Sequence, residues 1–182
     1  MPIGPSASRK ATSPTVDTVY QLYSEYVFRV VRRLGVSEAQ VEDAVQDVFL
    51  VVLRRAPDFE GRSSVRTWVF GIALRVARAY RRKAARAHSE LSNVELASRQ
   101  SGPDAQAAVA QEVRLLMALL KALPDEQREV FVLSEIEGLT APEVAAVVEI
   151  PLNTVYSRLR LGRERFQSAY RRVQRRELGG VS

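Results

Sequence analysis

Apolar residues recur every three to four positions along most of the chain, which is the spacing of one face of an α-helix. The first such segment spans residues 16–34. The second begins at Ser37, where Gln40 completes a capping-box pattern, and the third spans residues 65–86. No segment alternates between apolar and polar residues as a strand does. The pattern therefore predicts a small domain of three helices over residues 16–86.

Large apolar residues become rare after the third helix. Residues 87–110 are mostly polar and small, contain a Gly-Pro pair and predict a flexible linker. Helical spacing resumes over residues 111–176, which predict a second helical domain. A disordered tail is expected over residues 1–15 and a short tail over residues 177–182. The expected fold class is therefore all-α, with two small helical domains joined by a flexible linker.

The second domain ends in a helix-turn-helix pattern. Thr140 caps a short helix, and Glu143 completes its capping box. A turn follows at residues 149–151, and Asn153 or Thr154 caps the last helix. In this arrangement the second helix enters the major groove of duplex DNA while the first helix supports it.

The last helix has a strongly basic surface. From Arg158 to Arg176 there are eight arginines and a single acid, Glu164. Arginine side chains pair well with phosphates and with guanine edges. A solvated face of a helical bundle would show similar charges, but the capped first helix and the proline turn favour a helix that reads DNA.

Composition narrows the classes of function. The 182 residues carry a net charge of +6, which favours a polyanionic partner such as nucleic acid or an acidic membrane surface. The sequence has no cysteine and one histidine, which excludes thiolate zinc sites and disfavours a Ser-His-Asp centre. We expect no enzyme activity, no cofactor and no metal. The lack of a secretory signal or a membrane-length apolar run predicts a cytoplasmic protein.

The third helix carries one basic face and one aromatic-rich face. Its arginines, together with Phe59 and Arg62 in the preceding loop, suit contact with phosphates and exposed bases. Trp68 and Tyr80 lie on the apolar face, and we expect both to belong to the core. A basic stripe of this kind would also suit acidic lipid.

The second helix carries an acidic stripe on its polar face, formed by Asp43, Gln46 and Asp47, with Leu50 below them. Two carboxylates one turn apart can serve acid-base chemistry or bind a metal, but no other polar cluster supports that interpretation. An acidic stripe with an exposed leucine on a basic protein favours docking of a basic partner. A merely solvated helical face is the alternative.

Several of these segments resemble the motifs of one protein family. Residues 43–49 (DAVQDVF) and residues 59–73, which include SVRTWVFGIA, look like the second conserved domain of bacterial sigma factors. Residues 123–131 (LPDEQREVF), 138–140 and 150–159 (IPLNTVYSRL) resemble the fourth domain. The pair, without the intervening domains, is similar to the extracytoplasmic-function (ECF) group of the sigma-70 family.

The resemblance covers residues 16–172 and implies a subunit that binds core RNA polymerase, directs it to promoters and helps to open the DNA. In the family, the acidic stripe docks on the clamp of the largest polymerase subunit. The third helix and its preceding loop meet the −10 element, where an unstacked base is held near the loop, and the helix-turn-helix reads the −35 element. We therefore expect polymerase contacts at Asp43, Gln46, Asp47 and Leu50; −10 contacts at Phe59, Arg62, Ser64, Thr67, Gly71, Leu74, Arg75, Arg78 and Arg82; and −35 contacts at Asn153, Thr154, Tyr156, Ser157, Arg158, Arg160 and Arg163.

Four positions depart from the family pattern. Leu74 and Arg75 stand where many members have Arg-Asn, Glu149 stands where the turn often has glycine, and Gly162 replaces a common alanine. The first departure bears on the −10 contacts. An interior glycine costs roughly 1 kcal/mol relative to alanine unless it permits a close approach. The changes at the turn and in the last helix do not argue against the fold.

Two other classes of function remain open on the sequence. An autonomous helix-turn-helix transcription factor would act without polymerase, but such factors usually dimerise, and the acidic stripe would have no role. A nucleic-acid enzyme would need an acid cluster or a histidine pair, and the sequence has neither. Because members of the ECF group are commonly held inactive by an anti-sigma protein, often a membrane-bound one, we expect such a partner and no small-molecule substrate.

Overall fold

The computed structural model describes residues 16–90 and 105–179, and every regular element within these ranges is a helix. The predicted all-α class is therefore confirmed. Two short 3-10 turns flank the second helix, and a π-helical segment extends the fifth. The elements are α1 (Val16–Arg33), a 3-10 turn (Glu38–Gln40), α2 (Val41–Arg55), a 3-10 turn (Ala56–Asp58), α3 (Val65–Glu90), α4 (Ala105–Lys121), α5 (Asp125–Phe131), the π segment (Val132–Ile136), α6 (Ala141–Val148) and α7 (Leu152–Gly179).

Helices α1, α2 and α3 pack against one another and form the N-terminal half. Their apolar stripes meet at the centre, as the periodicity predicts. The ring of Tyr26 meets that of Phe70 edge-on, with the centroids 5.0 Å apart. The fully buried side chains of this half include Val27, Val30, Leu34, Val48, Val52, Phe70 and Leu74.

The predicted starts and ends of several helices need correction. Helix α2 begins at Val41 and not at Ser37, because the Ser37 hydroxyl donates to the Gln40 side chain (2.9 Å) and caps no backbone N–H. Helix α3 continues to Glu90, four residues past its predicted end. Helix α4 begins at Ala105, inside the segment expected to be linker. The expected N-terminal tail and most of the expected linker lie outside the described residues.

The C-terminal half is built on the long helix α7. The stacked rings of Phe131 and Phe166, with centroids 4.8 Å apart, join α5 to α7. The predicted capping box at the start of α6 is confirmed: the Thr140 backbone N–H and hydroxyl donate to Glu143 Oε2 at 2.9 and 2.7 Å. The first turn of α6, which is the first helix of the helix-turn-helix, is therefore stabilised by these hydrogen bonds.

The turn between α6 and α7 has a strained residue at its centre. Glu149 adopts left-handed backbone angles (φ 64°), which explains why a glycine would suit this position. Helix α7 then begins at Leu152. The Pro151 carbonyl accepts the backbone N–H groups of Thr154 (2.9 Å) and Val155 (3.1 Å), so neither Asn153 nor Thr154 is the cap.

The two halves lie in direct contact. Their buried apolar side chains form one continuous cluster, and α3 of the N-terminal half packs along α6 of the C-terminal half. Gly35 (φ 94°) lies at this boundary next to Arg128. A side chain at this position would clash, since a Cβ atom there would lie 2.6 Å from Arg128 Nη1. The arginine of one half thus passes directly over the backbone of the other.

Gly162 gives a test of the packing between α7 and α5. A Cβ atom there would meet the Gln127 carbonyl oxygen at 3.5 Å and the Phe131 side chain at 3.6 Å, which is ordinary contact. Gly162→Ala is therefore expected to raise the free energy of unfolding by about 1 kcal/mol. Thermal unfolding measures the change, since 1 kcal/mol corresponds to roughly 2–4 °C in a chain of this size.

Gly138→Ala is the matched control. A Cβ atom at Gly138 would meet nothing within 4 Å, but the residue has left-handed backbone angles (φ 71°). The same chemical change should therefore lower the free energy of unfolding by about 1 kcal/mol. Shifts of the same sign in the two variants would contradict this account of α7.

Candidate nucleic-acid interface

The first turns of α7 present an open polar surface. Tyr156 is 54% exposed, and Asn153, Ser157 and Arg160 are exposed beside it, while Thr154 is half-buried. The Arg160 guanidinium lies 2.7 Å from Glu164 on the next turn. The predicted base-reading side chains therefore share one accessible face.

Two of the predicted −35 residues also support the fold of the C-terminal half. Arg158 is half-buried and lies 2.6 Å from Glu126 at the start of α5. Arg163 is more exposed and lies 2.6 Å from Glu135 in the π segment. These ion pairs connect α7 to α5 and to the π segment, so the two arginines help to position the reading face.

The loop before α3 encloses a shallow cavity. The Phe59 and Trp68 rings form one wall, with their centroids 5.1 Å apart. Phe59 is half-buried and Arg62 is exposed, where it pairs with Glu60. Trp68 is half-buried and packs against the core, as expected, but it also lines this cavity. The cavity is lined by Asp58, Phe59, Glu60, Arg62, Ser63 and Trp68.

The basic face of α3 is largely covered by the C-terminal half, although the sequence predicts an open surface. Thr67, Gly71 and Leu74 are buried, and Leu74 has no exposed surface. Ser64 is exposed, and its hydroxyl lies 2.8 Å from that of Thr67. The reason is that α6 packs along this side of α3. Arg75 and Arg82 are exposed at its margin.

A buried carboxylate lies at the centre of this contact. Arg78 donates two hydrogen bonds to Glu129, from Nε to Oε1 at 3.0 Å and from Nη2 to Oε2 at 2.6 Å. Arg81 also donates to Glu129 and to the Leu34 carbonyl oxygen, and its Nε lies 3.0 Å from Asp125. The Glu129 side chain is 4% exposed, so its charge is neutralised almost entirely by protein groups.

Further polar contacts extend along the boundary. Glu137, whose side chain is 3% exposed, lies 2.7 Å from Arg33 Nη1, and its carbonyl oxygen accepts from Arg66 Nη2 at 2.5 Å. The Thr67 hydroxyl donates to Glu143 Oε1 at 3.3 Å, and Arg75 pairs with Glu149. Each contact joins a residue of α1 or α3 to a residue of the segment from α5 to the turn after α6.

The charges along the sequence hold a signal for this contact that the motifs do not carry. Between Asp125 and Glu149 there are seven acids and one basic residue, whereas the segment from Arg75 to Ser89 has six basic residues and no acid. The opposite charges predict that the two segments attract each other. The contact residues that sequence reasoning did not select are Arg33, Arg66, Arg81, Glu129 and Glu137.

The pKa of Glu129 reflects two opposed effects. Burial favours the neutral acid and raises the pKa, but the hydrogen bonds and charges of Arg78 and Arg81 outweigh it, so the pKa of this carboxyl lies below its ordinary value. A hydrogen bond from Arg75 lowers the pKa of Glu149 in the same direction. Both carboxylates are therefore ionised at neutral pH.

The acidic stripe of α2 is open along its length. Asp43, Gln46 and Asp47 are exposed, and Leu50 is 47% exposed below them. The half-buried Tyr80 donates its hydroxyl to Asp47 Oδ2 at 2.8 Å, and burial together with this bond raises the pKa of Tyr80 to about 12. The stripe is thus fixed from below by α3. Tyr80 packs against the core, as expected, while its hydroxyl reaches the stripe.

Other kinds of site are not evident in the part of the chain that the structure describes. Within residues 16–90 and 105–179, no three His, Cys, Asp or Glu side chains come together as metal ligands. Over the same ranges, no helix has both the length and the apolar character needed to cross a membrane.

Comparison with known proteins assigns both halves to one family. Residues 19–87 match the family model Sigma-70 region 2, and residues 114–166 match the model Sigma-70, region 4. The RNA polymerase sigma factor CnrH of Cupriavidus metallidurans is 33% identical over 137 residues, which are 70% of this chain and 72% of that protein. The ECF RNA polymerase sigma-E factor of Escherichia coli is 28% identical over 165 residues, 85% of each chain.

Solved structures show the same fold. The sigma factor RpoE of Bartonella quintana, in complex with the anti-sigma factor NepR, matches with a TM-score of 0.73 and 22% identity over 85% of this chain and 96% of that one. CnrH in complex with the cytosolic domain of CnrY matches with a TM-score of 0.63 and 24% identity over 92% of this chain and 89% of that one.

The protein is a sigma factor, a subunit that acts with RNA polymerase. It belongs to the extracytoplasmic-function group of the sigma-70 family.

The pKa of Glu129 leads to a prediction about pH. At about pH 7, Glu129→Gln should lower the free energy of unfolding by about 2 kcal/mol, because two arginines lose a charged acceptor. A carboxyl group whose pKa is lowered by folding stabilises the folded protein at pH values above its ordinary pKa of 4.5. This stabilisation is lost as the pH falls through the pKa that the group has in the folded protein. The charged groups around Glu129 are Arg78, Arg81, Arg82 and Arg158 from the facing helices and Asp125, Glu126 and Arg128 from its own.

Urea unfolding of both proteins over a pH series from about 7 to about 2.5 tests this sign. The difference between them should be largest at neutral pH and should narrow steadily below pH 4.5. The other carboxyl groups titrate in both proteins, so their contribution cancels in the difference between the two free energies of unfolding. A difference that stays constant or widens on acidification would contradict the assigned pKa direction.

Proposed function

We propose that this sigma factor binds core RNA polymerase through α2, reads the −35 element with α7, and holds unpaired −10 bases with α3 and the loop before it. The observation that carries the proposal is the exposed acidic stripe on α2, on a chain whose other half presents a DNA-reading helix. A DNA-binding protein that acted alone would leave that stripe without a partner.

Docking on polymerase is favoured by the chemistry of the stripe. Asp43 and Asp47 are exposed carboxylates on a chain with a net charge of +6, so they attract a basic surface. Exposed apolar side chains lie beside them, Leu50 at 47% and Leu53 at 55%. An apolar centre with a charged rim is the usual composition of a protein docking site.

Duplex reading is favoured by the geometry of α7. Tyr156, Ser157 and Arg160 project from its first turns, where a recognition helix enters the major groove. The exposed arginines further along, including Arg171 and Arg172, are placed for phosphate contacts. Base readout and phosphate contacts would thus come from one continuous helix.

Single-strand contact is favoured by the loop cavity. An unstacked base binds well to an aromatic wall beside a cationic side chain. The Phe59 and Trp68 rings and the Arg62 guanidinium supply this combination, and the cavity opens beside the first turn of α3. We assign the −10 contacts to this loop and to the basic face of α3.

The protein has no catalytic role of its own in this proposal, because the polymerase forms the bonds. An anti-sigma protein is the expected inhibitor, since the structurally similar RpoE is in complex with the anti-sigma factor NepR. We expect the protein to act in the cytoplasm, free or held by such an inhibitor. Transcription by core polymerase on genomic DNA fragments, followed by mapping of start sites, tests the whole proposal. The start sites should share −10 and −35 sequences at a fixed spacing, and no specific starts would overturn it.

The docking surface gives a separate prediction. The triple variant Asp43→Ala, Gln46→Ala and Asp47→Ala should weaken association with core polymerase at least about ten-fold, because it removes the charges that face the clamp. Quantitative co-purification with core enzyme measures the change. Glu25→Ala with Glu112→Ala is the charge-matched control, since both residues are exposed elsewhere. Equal losses in the two variants would place the docking site elsewhere.

The exposed face of α7 leads to a further prediction about DNA binding. Arg160→Ala should lower discrimination between the cognate −35 duplex and its point variants by about 1–3 kcal/mol, because a base contact is removed. Arg165→Ala, also exposed on α7 and matched in charge, should weaken binding to every duplex by a similar factor. Binding titrations with a set of duplexes distinguish the two effects. An unchanged preference in Arg160→Ala would remove that residue from the reading face.

A further inference from the structure

A further cavity lies where the end of α1 meets α4, and its volume is about 450 Å³. One wall comes from residues between 32 and 38, at the end of α1 and in the turn after it. The other comes from residues between 117 and 121 of α4, together with Arg128 of α5. The volume is within the range of small-molecule sites, about 300–1,000 Å³. None of the residues that line this cavity is assigned to DNA or to polymerase by the proposed function.

The wall of this cavity is strongly basic, since it carries four cationic side chains and one acid, Glu38. The four are Arg32, Arg33, Lys121 and Arg128. Two of them already have a counter-charge. Arg32 Nε lies 2.9 Å from Glu38 Oε2, and Arg33 Nη1 lies 2.7 Å from Glu137 Oε1. The charges that remain to be balanced are therefore those of the other two side chains.

Arg128 is buried with an incompletely balanced charge. The residue is 8% exposed, and within the described residues its Nε has no hydrogen-bond partner. Its guanidinium pairs with Asp125, but Arg81 Nε lies 3.0 Å from the same carboxylate. Burial, and then the charge of Arg81, lower the pKa of Arg128. A buried cation that shares its acid is stabilised by any further anion placed beside it.

Lys121 adds a second unbalanced charge to the same cavity. It is exposed at the end of α4 and forms no ion pair with the acids of residues 16–90 and 105–179. A lysine ammonium on its long stem and an arginine guanidinium are the two groups that proteins use to hold phosphates. A phosphate carries up to two charges and several acceptor oxygens, whereas a carboxylate carries one charge. Two unbalanced cations therefore favour a phosphate over a carboxylate.

Part of the wall is apolar, which bears on the rest of the ligand. Met117 is half-buried, and Val36 faces the cavity from the other half. A methionine side chain adapts to irregular shapes and makes favourable contacts with aromatic rings. The cavity therefore has room and a suitable surface for an organic group attached to the phosphate.

We propose that this cavity binds a small phosphorylated ligand, with the phosphate oxygens at Lys121 and Arg128 and the rest of the ligand on Met117. The ligand chemistry is shared by nucleotides and by inorganic phosphate chains. Because the walls come from both halves of the protein, a bound ligand joins them and adds its binding free energy to their contact. The inference goes beyond promoter recognition and uses none of the residues assigned to it.

Titration of the full-length protein with ADP, pyrophosphate and adenosine tests the proposal. Calorimetry at about 0.15 M salt should show saturable binding of ADP and pyrophosphate and none of adenosine, which lacks the phosphate. Tighter binding of ADP assigns the site to a nucleotide, and equal affinities assign it to an inorganic phosphate chain. Adenosine that binds as tightly as ADP, or no saturation by either phosphate at about 5 mM, would overturn the proposal.

The location of binding is measured by nuclear magnetic resonance on the same full-length protein. Addition of pyrophosphate should shift the backbone amide signals of residues 35–38 and 117–121 most strongly, because these residues line or adjoin the cavity. Shifts centred on the arginines of α3 or α7 would show adsorption to another basic surface and would contradict the proposed site.

Lys121→Gln gives the matched comparison. It should weaken pyrophosphate binding at least about five-fold, since one of the two unbalanced cations is lost. Lys83→Gln makes the same change at an exposed lysine of α3 outside the cavity, and its effect should stay below about two-fold. Equal losses in the two variants would mean that the net charge of +6 attracts the anion without a specific site, which would overturn the proposal.

A second pair of variants adds a negative charge without removing a cation. Ala118→Glu places a carboxylate on the exposed part of the cavity wall and should weaken pyrophosphate binding at least about ten-fold. Gln111→Glu adds the same charge at an exposed position two turns earlier on α4 and should bind almost as the unchanged protein does. Circular dichroism checks that both variants keep the helix content. Unaltered binding in Ala118→Glu would place the anion outside this cavity.

Discussion

The pairing of Glu129 with Arg78 and Arg81 is the interaction on which the arrangement of this protein depends. A carboxylate that is 4% exposed is tolerated only because two charged donors face it. The same pairing withdraws both arginines from solvent and brings α3 against α5 and α6. Each half also has apolar packing of its own, such as Tyr26 on Phe70, so the ion pairs set the relation between the halves more than the fold of either.

The helices and their inner faces could be predicted from the sequence, because apolar periodicity reports directly on burial. Val48 and Val155, placed inward by their spacing, are fully buried. The start of α6 was equally readable, since the pairing of Thr140 with Glu143 depends on residues only three positions apart. The family motifs assigned both halves to the sigma-70 family, and the matching family models confirm that assignment.

The cover over α3 could not be predicted in the same way. Periodicity separates the apolar face of a helix from its polar face, but it does not say what will lie on the polar face. Leu74 is the one local indication that this face is covered, because an apolar residue among the arginines of α3 is unfavourable unless something buries it. Glu149 shows the same limit: its left-handed backbone follows from the turn, and its pairing with Arg75 depends on a residue 74 positions away.

The shared use of Arg78 links two properties that could otherwise evolve separately. Under the proposed function this side chain must fit a promoter strand in one state and Glu129 in the other. A substitution at this position of α3 that changes the preferred promoter also changes the contact between the two halves. Tyr156 and its neighbours on α7 carry no such double demand in the described contacts. Descendants of this chain should therefore diversify their duplex preference more readily than their strand preference.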